Sequence, residues 1–395
     1  MLTDADSIEL GGVLQIMYYD DAGKETALKK DEMKKFIPVN SLPSALFNTI
    51  EVMGNGTVMS YISSPISNYK HFFETALSYN KLAQETHLRA QRFLMDDVGK
   101  AANDGSKELG ANQEVRNKWF DESAEVDFLI PLASDILRVD KYLIDRLNLQ
   151  IKLTRTNDEF LFCVPKDDKK KYFIKIKKLW LNCRHIAVKP SFIEHVNKAL
   201  DSGKRAIYPI LRTVLKSRTI SAGEVHCNIT DLYSGRLPSQ IIFGLVDNRA
   251  FRGHRQMNPF NFYHYNVTSL VLMVNSKQYP SVRFQPEFKE TVNKSKITRE
   301  YMALMKGIGV NGNEAPLVTL DHFHDGTTLW AFDLTPDSCS SYHNHKVDRG
   351  VLNIEMQFGD SLKHPVTLVS YAVFADEMQI DMDRQVYTST SIQSN

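Results

Sequence analysis

Leu147-Asn148-Leu149-Gln150-Ile151-Lys152-Leu153 alternates apolar and polar residues without a break. Successive side chains of a β-strand point to opposite faces, so this stretch predicts a strand with one buried face. Leu147, Leu149, Ile151 and Leu153 share that face, and Asn148, Gln150 and Lys152 share the other. The pattern returns 205 positions later as Leu352-Asn353-Ile354-Glu355-Met356-Gln357-Phe358. Both copies open on Leu-Asn and are polar at the same three places. If two strands are equivalent, their surroundings should repeat as well.

Ahead of the first copy, residues 12–19 read as a strand closed by the turn Asp20-Asp21-Ala22-Gly23. Residues 46–52 predict a second strand, and Gly54-Asn55-Gly56 a hairpin into 58–62. Ser67 or Asn68 is expected to cap a helix over 69–79, with Phe72, Phe73, Ala76 and Leu77 on its apolar face. Residues 95–125, rich in Asp, Asn, Gly and Lys, read as a long surface insertion. Strands are predicted at 127–132, in the opening stretch and at 159–164. A charged hairpin tip, Asp167-Asp168-Lys169-Lys170-Lys171, then leads into one or two strands over 172–188. Pro190-Ser191 opens a short helix, with Ser191 and Glu194 at capping-box spacing and Gly203 at its end. Phe192, Val196 and Leu200 share one of its faces.

The second half follows the same order. Strands are predicted at 210–220 and 240–246, and at 268–274 before the turn Asn275-Ser276-Lys277. A helix over 298–305 carries Tyr301, Leu304 and Met305 on one face. Leu329-Trp330-Ala331-Phe332-Asp333-Leu334, the second copy of the opening strand, and 366–375 complete the half. A unit of about 200 residues is too long for solenoid or propeller repeats of roughly 20–50. With roughly eight strands per half, the expected fold is all-β: two tandem eight-stranded jelly-roll β-sandwiches, a double jelly roll with short helices in its loops. The boundary falls at 202–205, giving domains 1–203 and 204–395.

Length and composition agree. A chain of 395 residues can hold two cores of ordinary size. Its 43% apolar and 24% charged content is that of a globular protein. The formal charge of +1, from 48 basic and 47 acidic residues, gives no electrostatic footprint for a dedicated nucleic-acid binder. Weak self-repulsion also favours association. The first ten residues hold no apolar core of a secretory leader, so none is expected. Apolar runs such as 269–274 and 366–375 fall far short of the roughly 20 residues that cross a bilayer. Cys163, Cys183, Cys227 and Cys339 form no CxxC pair and read as buried thiols in a reducing compartment. Sequons at Asn55, Asn228, Asn266 and Asn293 read as chance matches without a leader.

Four stretches imitate chemical motifs. Gly307-Ile308-Gly309-Val310-Asn311-Gly312 fits GxGxxG, but a helix precedes it and Pro316 follows. The strand-before, helix-after context of a dinucleotide site is missing, and a loop is the better account. Ser67-Asn68-Tyr69-Lys70 fits SxxK without the companion motifs of penicillin-type acylases, so helix capping explains it better. His322-Phe323-His324 and His343-Asn344-His345, with Cys339 nearby, could face one metal if both pairs lay on strands. A cupin, itself a jelly roll, uses such a pair with a nearby Glu. Here Asp325-Gly326-Thr327-Thr328-Leu329 supplies none, and both pairs sit in loop-like sequence. Seven lysines between 166 and 178 interleave with Phe173, Ile174 and Ile176, as on a strand with one solvated face. No residue is therefore assigned a catalytic, cofactor-binding or metal role. The runner-up is a metal-dependent bicupin-type enzyme using His322, His324, His343 and His345, and a binding β-sandwich without assembly comes third.

Leu237-Pro238-Ser239-Gln240-Ile241-Ile242-Phe243-Gly244-Leu245-Val246-Asp247-Asn248-Arg249-Ala250-Phe251 closely resembles a block in the major capsid proteins of Polinton/Maverick elements and their adintovirus relatives. So do Asn258-Pro259-Phe260-Asn261-Phe262-Tyr263-His264-Tyr265-Asn266, Arg299-Glu300-Tyr301-Met302-Ala303-Leu304, Leu329-Trp330-Ala331-Phe332-Asp333-Leu334-Thr335-Pro336-Asp337, and residues 351–358 and 371–382. In the first half, Pro38-Val39-Asn40 and Leu46-Phe47-Asn48-Thr49-Ile50-Glu51-Val52 resemble the same family's early strands. The blocks run in order over most of the chain. The resemblance implies a double jelly-roll capsid protein with no catalytic residues. It implies a homotrimer whose six jelly rolls make a pseudo-hexagonal capsomer, and capsomers that tile an icosahedral shell. Implied partners are neighbouring capsomers and a minor, penton-type capsid protein, with no membrane span and no sequence-specific nucleic acid. The implied location is the virion, reached from inside the host cell. Family members carry more chain before the first strand than the ten residues ahead of Gly11, so the first jelly roll is expected to lack an edge strand. The Asn/Pro-rich loop holding Phe260, Phe262, Tyr263 and Tyr265 is expected either to meet a partner or to fold over its own sandwich.

Overall fold

The computed structural model describes residues 2–29, 36–60, 66–102, 108–288, 291–292, 295–310, 315–335 and 348–388, with side chains from residue 8 onward. The second half contains β10 (Ala206–Ile220), β11 (His226–Arg236), β12 (Gln240–Asp247), β13 (Val267–Val274), β14 (Lys277–Phe284), β15 (Leu329–Asp333), β16 (Arg349–Phe358), β17 (Val366–Ile380) and β18 (Val386–Thr388). One sheet has the order β10-β17-β12-β15, with β18 added to β17, and the facing sheet the order β11-β16-β13-β14. From β10 to β17 consecutive strands alternate between the two sheets except at the β13–β14 hairpin, which is the jelly-roll arrangement. Inward residues of β16, namely Leu352, Ile354, Met356 and Phe358, are buried to 2% exposure or less.

The first half contains β1 (Leu2–Tyr19), β2 (Glu25–Ala27), β3 (Ile37–Pro38), β4 (Phe47–Gly54), β5 (Thr57–Val58), β6 (Val126–Pro131), β7 (Leu149–Arg155), β8 (Phe162–Cys163) and β9 (Lys171–Ile186). Here β1 lies between β9 and β6, as β12 lies between β17 and β15. Likewise β4 lies between β5 and β7, as β13 lies between β14 and β16. Leu14, Ile16 and Tyr18 pair with Ile176, Ile174 and Tyr172 and fill the space between the layers. The opening stretch and its copy are thus equivalent strands, β7 and β16. The double jelly roll expected from the sequence is the fold. β10 and β11 have no counterpart among the described residues of the first half, in line with the expected missing edge.

Local expectations fail where polarity hides burial. Residues 95–125 are not a surface insertion: Ala111–Trp119 is a helix, and Gln113, Arg116 and Phe120 are buried. Arg116 reaches Asp96 and the Leu94 carbonyl, so the charge is paired where it is buried. The 159–164 stretch begins as one helical turn, Asp158–Leu161, because Asn157 caps it. Ser67 and Asn68 lie inside the Ser67–Ser78 helix, with Asn68 Oδ1 accepting from Tyr69 N at 3.0 Å. The Pro190–Asp201 helix has no side-chain cap, and Phe192 on its expected apolar face is exposed. The hairpin at Asn55-Gly56 forms, with both residues at left-handed φ, but the strand after it spans only Thr57–Val58; residues 61–65 lie outside the described residues.

Candidate assembly surfaces

The Ser67–Ser78 helix packs its aromatic side chains against the second half. Its Phe72 stacks on Phe260 at 4.8 Å and 11°, and Phe73 meets Phe262 at 5.2 Å and Tyr371 at 6.1 Å. Tyr69 packs against Phe251, Phe260 and Phe262 and donates its hydroxyl to the Pro259 carbonyl at 3.1 Å. Phe260 and Phe262 are therefore not exposed-loop aromatics: they are buried at the junction. Each such ring pair adds about 0.5–1.5 kcal/mol beyond the area it buries. Tyr263 remains exposed.

A polar frame surrounds these rings. Asp135 accepts from Lys70 in its own half, and from Thr213 N at 2.7 Å and Thr213 Oγ1 at 3.1 Å on β10. Glu74 pairs with Arg138 at 2.8 Å and accepts from the Tyr371 hydroxyl at 3.2 Å. Burial holds the Tyr371 phenol well above its ordinary pKa, so it stays a donor. Arg384 forks onto Asp145 at 3.0 Å, and Asp96 accepts from Asn258 at 2.9 Å. A cleft of about 570 Å³ beside this frame is lined by Glu74, Asp135, Arg138, Lys141, Thr213 and Gln240. The buried carboxylates of Glu74 and Asp135 are already paired, so they form an ion-pair network rather than a poised acid, base or nucleophile. Sequence reading missed this frame because Lys70, Asp135 and Arg138 look like ordinary surface charges until the two halves are brought together.

The motif residues separate. His322 and His324 lie on a short helix, Leu320–His324, rather than on a strand or in a loop. Two residues apart on a helix, they point to different sides. His322 bonds Thr319 through Nδ1 at 2.8 Å and the Asp96 carbonyl through Nε2 at 3.2 Å. His324 is buried with its Nδ1 2.9 Å from Asp325, and its ring lies 5.9 Å from that of His264. Neither is the exposed loop histidine that the sequence suggested. His343, His345 and Cys339 lie outside the described residues. Among the described residues no group of three or more His, Cys, Asp and Glu is arranged to hold a metal. Gly307 ends the Thr298–Gly307 helix with its Cα against β15, where a Cβ would lie 2.5 Å from the Ala331 carbonyl oxygen. Helix packing accounts for that glycine, and the rest of the motif lies partly outside the described residues. Lys70 of the SxxK stretch is buried in its ion pair. The lysine-rich strand β9 sets Lys175 against Glu25 and Lys177 against Glu125. Cys163 is buried, whereas Cys183 and Cys227 are only partly so. No helix among the described residues is long and apolar enough to cross a membrane.

Large apolar side chains stand in solvent on the outer strands: Leu179, Trp180 and Leu181 on β9, Leu211 on β10 and Val282 on β14.

The architecture defines the chain as a double jelly roll, and solved structures share it. A chain of the Sputnik virophage superposes with a TM-score of 0.57 at 12% identity, covering 98% of this chain and 82% of its own. The mavirus major capsid protein gives 0.54 at 11% identity, covering 99% and 85%, and the Faustovirus major capsid protein 0.53 at 7%, covering 95% and 85%. At these identities the likeness establishes the fold. No family model matches the sequence. An uncharacterised protein of Caenorhabditis elegans is 21% identical over 305 residues, 76% of this chain and 69% of that protein.

Proposed function

We propose that the chain is a structural major capsid subunit that acts through its surfaces and has no active site. Its two jelly rolls, 1–203 and 204–395, make one third of a pseudo-hexagonal capsomer. Three copies close the ring, capsomers tile an icosahedral shell, and a penton-type protein fills the vertices. The Polinton-like sequence blocks favour a virus or an integrated element of that kind as the source, with the virion as the working location. The observation that carries this reading is the welded junction. Two sandwiches of matching topology are locked side by side through Phe72, Phe73, Phe260 and Phe262, and the same fold appears in the mavirus major capsid protein. A ring of such pairs repeats one kind of side contact around a closed symmetry. Light scattering after size exclusion, with negative-stain imaging, tests it. A mass near three times 45.1 kDa and hexagonal particles are expected. A folded protein that stays monomeric at every concentration overturns it.

A further inference from the structure

Asn266 N donates to His264 Nδ1 at 2.9 Å. A backbone N–H has only a donor to offer, so Nδ1 carries no proton and the ring is neutral, with its hydrogen on Nε2. The bond pins an unfavourable turn: Tyr265 and Asn266 stand at φ 46° and 50°, two consecutive residues other than glycine in the left-handed region. The ring is 6% exposed, stacks on Phe288 at 4.3 Å and 7°, and lies 5.9 Å from the ring of His324. A second proton on this ring has one place to go, Nδ1. There it turns the acceptor into a donor facing a donor, and sets a charge where water is excluded.

Phe262 stands two residues ahead. Its N–H donates to the Gly326 carbonyl at 2.9 Å and its own carbonyl accepts from Thr328 N at 2.9 Å. Its ring packs on Tyr69, Phe72 and Phe73 of the first half. The turn pinned by His264 is therefore continuous with the residues that join the two sandwiches. Charged groups on the neighbouring elements have partners of their own. Asp325 lies 2.9 Å from His324 Nδ1, Asp360 accepts from Asn266 Nδ2 at 2.7 Å, Asp247 pairs with Arg249 at 2.9 Å, and Glu287 pairs with Lys296 at 2.9 Å. Glu300 on the Thr298–Gly307 helix accepts from Gln285 N at 3.3 Å. Burial and then His324 oppose a charge on His264, and Asp325 favours one. His322 donates through Nε2 to the Asp96 carbonyl, a bond that either charge state can make, so it is not the trigger.

We propose that residues 260–266 form an acid-operated latch between the two jelly rolls. A proton from solvent binds His264 Nδ1 and breaks its bond with Asn266 N. The left-handed turn relaxes, the charged ring leaves its stack on Phe288 for water, and Phe260 and Phe262 withdraw from the first half. The sandwiches then part while each keeps its sheets, because no ladder bond of β10, β12 or β17 passes through the segment. The latch goes beyond the shell reading and holds whether or not shells form.

Hydrogen exchange on the full chain at pH 7 and pH 5, corrected for intrinsic rates, tests it. With a closed-state value of about 4 and an open-state value near 6.5, one proton should raise the opening of 260–266 roughly 20-fold between the two conditions. Amides of 366–376 should change by less than about threefold and serve as the folding control. His264→Asn keeps an oxygen acceptor for Asn266 N and takes no proton, so its ratio between the two conditions should fall to about one. His71→Gln removes the other buried neutral ring and should leave the full step. Calorimetry on the same samples should give one transition at pH 7 and two at pH 5, and one at both in His264→Asn. The latch is refuted if opening of 260–266 ignores pH in the unaltered chain, or if the step survives in His264→Asn. It is refuted equally if the step disappears in His71→Gln, or if the segment opens at pH 5 while the halves still melt together.

Discussion

His264 and His71 are buried as neutral rings, and that makes the fold sensitive to acid. Asn266 N donates to His264 Nδ1 at 2.9 Å, and the ring stacks on Phe288 at 4.3 Å. Burial first, then the adjacent His324, lowers its pKa to about 4, against the opposing pull of Asp325. Burial and then Arg138 lower that of His71 to about 3. Both folded values lie below the unfolded value near 6.5, so the unfolded chain binds more protons between those limits. Stability is complete above about pH 6.5 and falls as pH drops toward 4 for His264 and toward 3 for His71, the two rings contributing on the order of 3–5 kcal/mol each. Urea midpoints should therefore fall clearly from pH 7 to pH 5, and less so in His264→Gln; midpoints that do not move would refute the account. Lys70 and Asp135 are the complementary case. Lys70→Met leaves a buried carboxylate without its ammonium and should cost about 3–5 kcal/mol in the same measurement.

At the scale of elements, one alternation pattern has two energetic meanings. Leu153 and Ile354 are both inward residues of these equivalent strands, but among the described residues only β16 has strands on both sides. Ile354→Ala should cost about 2–5 kcal/mol, as for a filled core site. Leu153→Ala, at a half-buried site, should cost about 1 kcal/mol, since roughly half the transfer energy is at stake. Equal costs in thermal melts would mean that β7 is covered after all. Periodicity made these strands legible, because a half-buried strand writes its faces into the sequence. It could not say how many neighbours each strand has. β11 was hidden because its register shifts between Ile229 and Tyr233, with Asp231 at φ 51°, which breaks the alternation. β14 was hidden because it is an edge strand whose side chains are mostly exposed. The candidate surfaces were less legible still. Phe260 and Phe262 read as loop aromatics because the surface that buries them belongs to the other half of the chain. The proposed capsid role rests on the resemblance of whole blocks, since a protein that works through its outer faces would leave no spaced catalytic residues to find.

For the whole molecule, the junction decides whether two sandwiches behave as one body. Tyr69, Phe72 and Phe73 on one side and Phe260, Phe262 and Tyr371 on the other bury large apolar area at its centre. Asp135, Glu74 and Arg384 carry hydrogen bonds across its rim. An interface with a buried aromatic centre and a satisfied polar rim couples its two sides more tightly than the loose contacts that ordinarily separate domains. The halves should therefore unfold in a single transition. Phe262→Ala removes a fully buried ring that touches Tyr69, Phe72 and Phe73, and should cost about 3–5 kcal/mol. Because that loss falls on the contact between the halves, it should also split the calorimetric trace into two steps. The second half should melt higher, since its β16 and β17 are paired on both sides whereas, among the described residues, β7 and β9 are paired on one. A subunit whose halves turn independently cannot hold a fixed angle in a ring, so, on the proposed trimeric reading, the same variant should lose the trimer before it loses its strands. Scanning calorimetry and light scattering on one preparation check both outcomes. A single transition shifted downward, with the trimer intact, would show that the outer contacts rather than the Phe262 cluster set the angle between the sandwiches.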